Sequence, residues 1–203
     1  MKKILILDFD GVVAMTEDIE LGYINKRYCI NSKISDYQNN LSPEKNVSIL
    51  TNTDISFEEF YYDFTRNYAM SKELHKDVIL LPYAKKVIEE LSKEYYLFIS
   101  TARNSLGIDV IKYVLKNNGI LQYFNGFHFV YYFDDKMQFI KSPKAEFISS
   151  FKSNVSFFVD DSEREIEKTK NIVPSILFDV TQTKNVQGSW SAYNWLELAD
   201  LLL

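Results

Sequence analysis

The stretch that decides the fold reads Lys3-Ile4-Leu5-Ile6-Leu7-Asp8-Phe9-Asp10-Gly11-Val12-Val13. The apolar residues from Ile4 to Leu7 follow one another without alternation, which predicts a strand buried on both faces. Because residues i and i+2 of an extended chain point to the same side, Asp8 and Asp10 can face one point beyond the strand end. Carboxylates so placed repel each other unless a cation or a shared proton relieves them, and Mg²⁺ is their usual partner beside a phosphate. The stretch therefore predicts a cation and phosphate site, although Asp and Gly are also common in ordinary turns.

Composition limits the classes of protein to which the chain can belong. Its 203 residues, 46% of them hydrophobic, suffice for a sizeable core in one domain or in a domain with an insertion. The net charge of −5 gives no basic footprint for a nucleic acid polymer. The single cysteine permits no disulfide within the chain, and the first apolar run is too short for a signal peptide or a membrane span. We therefore expect a soluble cytoplasmic protein that does not bind membranes.

The segment at residues 14–78 is rich in polar and aromatic residues and shows no convincing strand pattern. Thr16-Glu17-Asp18 and Ser42-Pro43-Glu44 are plausible helix starts. Ser56-Phe57-Glu58-Glu59 matches the capping-box pattern, and aromatic residues then recur at helical spacing. We therefore predict a helical insertion between the first strand and the rest of the fold.

Strands and helices alternate regularly after this segment. The further predicted strands lie at residues 95–100, 127–133, 155–159 and 175–178. The predicted helices lie at residues 82–93, 109–117, 142–151, 162–170 and 191–203. Strands separated by helices form a parallel sheet, so the predicted fold class is α/β: a three-layer Rossmann-like parallel sheet core with a small helical cap insertion. The predicted core comprises residues 1–13 and 79–203, and the predicted cap comprises residues 14–78.

Polar residues follow the second predicted strand, in the order Ser100-Thr101-Ala102-Arg103-Asn104. A hydroxyl at this place can donate a hydrogen bond to a phosphate oxygen, and the free backbone N–H groups of the following turn, such as that of Ala102, can add to it. Thr101 and Ser100 are both candidates, and either can instead be a helix N-cap. Arg103 can approach an anionic substrate or form a surface salt bridge.

Basic and acidic residues flank the predicted strand at residues 155–159. Lys144 lies in the first turn of the preceding helix, where a cation opposes the helix dipole unless it faces negative groups. Lys141 is the alternative lysine. Asp160 and Asp161 are adjacent carboxylates that follow the strand, an arrangement that is unfavourable without a cation.

The motifs resemble, in this order, those of the haloacid dehalogenase-like hydrolase superfamily: strand-Asp8-x-Asp10, strand-Thr101, Lys144 and strand-Asp160-Asp161. Asp134-Asp135 precedes both lysines and so breaks this order, and we interpret that pair as a solvated turn. The insertion resembles in position the helical cap of the first type in that superfamily. The tail, with Ile176-Leu177-Phe178-Asp179 and then Trp195-Leu196-Glu197, also resembles the deoxyribonucleotidase-like branch.

The resemblance implies a Mg²⁺-dependent phosphomonoesterase that works through an aspartyl-phosphate intermediate. Asp8 would be the nucleophile, and Asp10 the general acid and base. The residues implied to bind phosphate are Thr101, Ala102 and Lys144. The implied ligands of Mg²⁺ are Asp8, Asp10 through its backbone carbonyl, Asp160 and Asp161.

The core motifs serve only the phosphoryl group, so we expect the insertion to cover the site and select the leaving group. The expected substrate is a small soluble phosphate ester, such as a nucleotide or a sugar phosphate, rather than a phosphoprotein. A phosphomutase of the same superfamily would retain both aspartates and is an alternative. A non-catalytic binding module on the same fold is another.

Overall fold

The computed structural model describes residues 2–37, 43–133, 139–151 and 154–203. A seven-stranded sheet lies at its centre. Its strands are β1 (Lys3–Leu7), β2 (Tyr95–Asn104), β3 (Phe124–Phe133), β4 (Phe139–Lys141), β5 (Val155–Asp160), β6 (Ser175–Phe178) and β7 (Trp190–Ala192). The α-helices are α1 (Glu17–Tyr28), α2 (Pro43–Thr51), α3 (Phe57–Phe64), α4 (Ala84–Glu94), α5 (Ile108–Asn117), α6 (Lys144–Ser150), α7 (Glu163–Thr169) and α8 (Trp195–Leu202).

The strand order is β4-β3-β2-β1-β5-β6-β7, with β1 in the middle. All neighbours pair in parallel except β3 and β4, which pair antiparallel. The predicted α/β class with a parallel sheet core is confirmed, and β4, which was not predicted, adds one antiparallel strand at the edge. Strands of three residues, such as β4 and β7, are too short to show a period in the sequence. The Asp134-Asp135 pair lies outside the described residues.

Alternate residues of β1 pack on opposite faces of the sheet, which creates the three layers. Leu5 and Leu7 belong to the larger hydrophobic cluster, which includes buried residues of α4, α5 and α8. Ile4 and Ile6 belong to a second cluster with Ile148 of α6 and Ile166 of α7. Because β1 is apolar on both faces, it can only occupy the centre of the sheet, and its end therefore lies at the centre of one sheet edge.

Ala14 and Leu80 form an isolated β-bridge. The described residues between them contain helices but no strand. Helices α1, α2 and α3 pack around their own small cluster, centred on Ile24, Val47 and Phe60. The predicted capping box is present, since Ser56 Oγ accepts from the Glu59 N–H at 3.2 Å. A π-helical turn, Thr65–Ala69, follows α3 directly. The division into a core and a separate cap domain remains a prediction.

Element boundaries differ most from prediction in the C-terminal tail. The predicted helix from residue 191 is wrong at its start, because β7 occupies residues 190–192 and Asn194 then caps α8 by accepting from two backbone N–H groups. Along α8, Trp195, Leu198 and Leu202 are buried. Leu196 and Leu201 of the same helix are exposed. None of the helices in the described part of the chain has the length and apolar content needed to cross a membrane.

Trp195 connects α8 to the loop that follows β1. Its side chain is fully buried, and its Nε1–H donates to the carbonyl of Val12 at 2.8 Å. We predict that Trp195→Ala lowers the free energy of unfolding by about 3–5 kcal/mol, as measured by chemical denaturation followed by circular dichroism. Trp190→Ala is the matched control, because the Trp190 side chain is 48% exposed. Equal losses from the two substitutions would contradict this placement of α8.

Candidate active site

The ends of β1, β2 and β5 meet at one edge of the sheet, as expected for parallel strands. A cavity of about 270 Å³ lies between this edge and helices α1 and α3. The core contributes Asp8, Asp10, Ala102, Arg103 and Asp161 to its lining. The insertion contributes Glu17, Glu20, Phe60, Tyr61 and Phe64.

The ammonium group of Lys144 lies between two carboxylates. Its Nζ is 3.0 Å from Asp8 Oδ1 and 2.6 Å from Asp160 Oδ2. Burial lowers the pKa of Lys144, but the charges and hydrogen bonds of both aspartates outweigh burial and raise it, so the group remains charged. Lys141, the alternative lysine, is exposed in β4 and lies beside the ring of Tyr131. The structure therefore brings Lys144, and not Lys141, to the aspartates.

Three carboxylates are close enough to share one cation. One oxygen from each of Asp8, Asp160 and Asp161 lies within 4.8 Å of the other two. Burial raises the pKa of Asp8 well above its usual value, Lys144 opposes this, and the charges of Asp160 and Asp161 add to the rise. Burial also raises the pKa of Asp161, to about 7, with the charge of Asp160 adding to it. A set of oxygen ligands that repel one another suits a hard dication such as Mg²⁺.

Gly11 permits the close approach of the β1 loop to this cluster. Its φ of +72° lies in the left-handed region, which disfavours other residues. A Cβ atom at this position would lie 2.7 Å from Asp161 Oδ2. Lys184, which the sequence analysis did not single out, also contacts Asp161. Its Nζ donates to the Asp161 carbonyl oxygen at 2.8 Å.

The side chain of Asp10 is directed away from this cluster and towards Arg103. Arg103 Nη2 is 2.8 Å from Asp10 Oδ1, and Nε is 3.0 Å from Oδ2. Burial raises the pKa of Asp10, but the charge and hydrogen bonds of Arg103 and the Thr16 hydroxyl outweigh burial and lower it. The Arg103 side chain is only 4% exposed, so its interpretation as a surface salt bridge is wrong.

Two threonine hydroxyls also face Asp10. Thr16 is the N-cap residue of α1, as predicted, but its hydroxyl donates to Asp10 Oδ1 at 2.6 Å and accepts no hydrogen bond from the helix. Thr101 Oγ1 is 3.4 Å from Asp10 Oδ2. The Ser100 hydroxyl instead lies 2.8 Å from His128 Nδ1. Of the two candidates for phosphate binding, Thr101 is thus the one next to an active-site aspartate, and Ala102 beside it lines the cavity.

Both histidines have partners that the sequence analysis did not identify. His75 Nε2 lies 3.0 Å from Arg103 Nη1, and Nδ1 lies 2.8 Å from the Ser71 carbonyl oxygen. Since a guanidinium can only donate and a carbonyl can only accept, the proton of His75 is on Nδ1. His128 connects Ser100 of β2 with Ser142, at 3.1 Å, just before α6. No local pattern marks these contacts, because the partners are distant in sequence.

Known proteins resemble the chain in structure but not detectably in sequence. No family model matches it, and neither does any curated protein. SP0104 from Streptococcus pneumoniae, a haloacid dehalogenase-like family hydrolase, has a TM-score of 0.71 at 15% identity, covering 100% of this chain and 99% of that chain. YfnB from Bacillus subtilis, in a magnesium-bound structure, has a TM-score of 0.63 at 13% identity over 99% and 98% of the two chains. CbbY from Rhodobacter sphaeroides, in complex with phosphate, has a TM-score of 0.68 at 12% identity over 98% and 96%.

These similarities extend over nearly the whole chain. The chain has the fold of the haloacid dehalogenase-like hydrolases, and the resemblance predicted from the ordered motifs is confirmed at the level of the fold.

Removal of the buried Arg103 cation predicts a large loss of stability. We expect Arg103→Met to lower the free energy of unfolding by about 3–5 kcal/mol, because it leaves the Asp10 carboxylate, whose side chain is only 28% exposed, without its cation. Arg27→Met is the matched control, since Arg27 contacts Asp63 at 2.9 Å but its side chain is 52% exposed. That control should cost less than about 1 kcal/mol. Denaturant titration measures both, and similar losses would contradict a buried Arg103.

The lowered pKa values of the two histidines predict that the stability of the fold depends on pH. Burial, assisted by the charge of Arg103, lowers the pKa of His75 to about 4. Burial and Lys144 likewise lower the pKa of His128 to about 4. Since an unfolded histidine titrates near pH ~6.5, both contribute stability above that pH that is lost as the pH falls towards 4. NMR titration of the imidazole C2 protons, assigned by single His→Gln variants, should give midpoints far below the unfolded value. Midpoints at the unfolded value would contradict the described burial.

Proposed function

We propose that the chain is a Mg²⁺-dependent phosphomonoesterase that works through an aspartyl-phosphate on Asp8. The observation that carries this proposal is the buried Lys144 ammonium between Asp8 and Asp160, with Asp161 completing a set of three carboxylates. Such a set suits one dication and one phosphoryl group at the same point. Structures of the same fold with bound magnesium and with phosphate add support.

In the proposed first step, a carboxylate oxygen of Asp8 attacks phosphorus and the bond to the leaving oxygen breaks. Lys144 and the Phe9 N–H both contact Asp8 Oδ1, at 3.0 and 2.8 Å, which leaves Oδ2 as the attacking atom. Asp10 gives its proton to the leaving oxygen. Mg²⁺, held by Asp8, Asp160, Asp161 and the Asp10 carbonyl, would reduce the repulsion between nucleophile and phosphate.

In the second step, Asp10 takes a proton from a water molecule that attacks phosphorus. The bond between phosphorus and Asp8 breaks, which releases inorganic phosphate and restores both aspartates. The contacts of Asp10 with Arg103 and Thr16 favour its ionised form, which is the form that this step requires. To act as an acid in the first step, Asp10 must take up a proton and leave Arg103. Thr101, the Ala102 N–H and Lys144 bind the phosphoryl oxygens in both steps.

The substrate in this proposal is a small soluble phosphate ester, and residues 14–78 form the cap that selects it. The cavity of about 270 Å³ lies just below the range typical of drug-sized ligands, so it suits a compact ester better than a phosphoprotein segment. Among the described lining residues, Arg103 is the only basic one, and Asp10 already pairs with it. A phosphomutase that carries a bisphosphate would need a second anion site, so this charge pattern favours the phosphatase.

Hydrolysis of an aryl phosphate tests the proposal. We predict turnover that requires Mg²⁺ and is abolished by EDTA, and a fall in kcat of at least about a thousandfold in Asp8→Asn. Asp200→Asn, which changes an exposed aspartate of α8, is the matched control and should retain activity. Full metal-dependent activity in Asp8→Asn would contradict the assignment of the nucleophile. Product analysis with a sugar 1-phosphate separates the phosphatase from a mutase, and binding of Mg²⁺ without turnover of any ester would favour the binding module.

A further inference from the structure

Helix α1 contributes two acidic residues to the cavity wall that lies opposite the core. Glu17 is the first residue of α1, and Glu20 lies one turn later, so both side chains lie on one side of the helix. Both line the cavity that also exposes Asp8 and Asp10. A phosphate ester with its phosphorus at Asp8 would therefore direct its leaving group towards these two carboxylates.

The Glu20 carboxylate is half-buried, and no described residue forms a hydrogen bond or an ion pair with its side-chain oxygens. Burial raises its pKa to about 7, the charge of Asp10 adds to this, and Arg103 opposes it. A carboxylate in this situation is relieved by a further positive group, because Arg103, the only basic residue among the described lining residues, already pairs with Asp10.

The three basic side chains at the core side of the cavity are already engaged by carboxylates there. Arg103 pairs with Asp10 at 2.8 Å, Lys144 with Asp8 and Asp160, and Lys184 lies 3.8 Å from Asp161 Oδ2. In the proposed function, Mg²⁺ offsets the phosphoryl group. The charges of Glu17 and Glu20 then remain unmatched, which disfavours a leaving group that carries a second negative charge.

Aromatic rings form the side of the cavity next to the two glutamates. Phe60, Tyr61 and Phe64 come from α3, and the rings of Phe60 and Phe64 stack at 5.5 Å between centroids. The faces of aromatic rings attract ammonium groups, and the attraction grows when water is excluded. Carboxylates and aromatic rings around one small cavity form an environment suited to an organic cation.

We propose that Glu17 and Glu20 are specificity-determining residues that select phosphate esters with a cationic, amine-bearing leaving group. This inference rests on the proposed function and specifies the substrate class of the same site. The amine lies against Glu17, Glu20 and the rings of α3 while the phosphoryl group lies at Asp8. Esters with an anionic leaving group are rejected by the same two carboxylates.

Three esters of the same chain length test this selection: 2-aminoethyl phosphate, 2-hydroxyethyl phosphate and phosphoglycolate. Their leaving groups are cationic, neutral and anionic, while the phosphoryl group is unchanged. With Mg²⁺ at about pH 8, where Glu20 is ionised despite its raised pKa of about 7, we expect kcat/KM to fall in that order. The ratio between the first and the last should be about a hundredfold, or tenfold for each carboxylate, which corresponds to about 1.4 kcal/mol each.

Charge-neutral variants identify the residues responsible. In the double variant Glu17→Gln with Glu20→Gln, we expect the cation-to-anion ratio to fall to within about threefold of unity. Glu58→Gln is the matched control, because it removes the same charge from an exposed position of α3 outside this cavity, and its ratio should stay unchanged. The proposal is overturned if the unaltered protein prefers the neutral or the anionic ester, or if the double variant keeps the full ratio.

Failure of the proposed function would give a different result. If the unaltered protein hydrolyses neither these esters nor an aryl phosphate, the phosphatase assignment fails. Calorimetry on the Asp8→Asn protein with Mg²⁺ then decides the inference, because it measures binding of the three esters without turnover. Tighter binding of 2-aminoethyl phosphate than of phosphoglycolate supports it, and equal, reversed or absent binding overturns it.

Discussion

One buried cation holds the centre of this structure together. The Lys144 ammonium is shared by Asp8, directly after β1, and Asp160, the last residue of β5. Removing one member of a buried ion pair leaves an unmatched charge, at a cost of about 3–5 kcal/mol. The contact therefore fixes the start of α6 against the ends of two neighbouring strands. It also holds Asp8 and Asp160 together, two of the three carboxylates whose oxygens lie within 4.8 Å of one another.

A second buried cation connects the sheet edge that carries the candidate site to the insertion at residues 14–78. Arg103 lies near the end of β2, and its guanidinium is between the rings of Phe9 and Tyr68. The Cζ atom of Arg103 is 5.3 Å from the centroid of each ring. Arg103 binds Asp10 with one side of the guanidinium and faces His75 with another. Tyr68 belongs to the π-helical turn after α3. Arg103 therefore contacts both the insertion, through Tyr68, and Asp10, the proposed acid–base residue. The position of the insertion and the environment of Asp10 are thus physically linked.

The sequence predicted the features that depend on local pattern. The uninterrupted apolar run of β1 required a central position, and the carboxyl ends of parallel strands then placed Asp8, Thr101 and Asp160 at one edge. Strands β4 and β7 escaped prediction because three residues show no period. The contacts of Arg103 with Asp10 and His75 escaped it because these residues lie far apart in sequence and no spacing rule connects them. The competing use of Thr16, as a helix cap or as a donor to Asp10, is decided by tertiary contacts alone.

The central claim is that Asp8 carries the phosphoryl group during turnover. Acid quenching of the protein during steady-state hydrolysis with Mg²⁺, followed by peptide mass spectrometry, tests this most directly. We expect one phosphoryl group on the peptide that contains Asp8. Hydroxylamine should remove it, as expected of an acyl phosphate, and the Asp8→Asn protein should not carry it. Turnover with the phosphoryl group on another residue, or with Asp8 never phosphorylated, would contradict it.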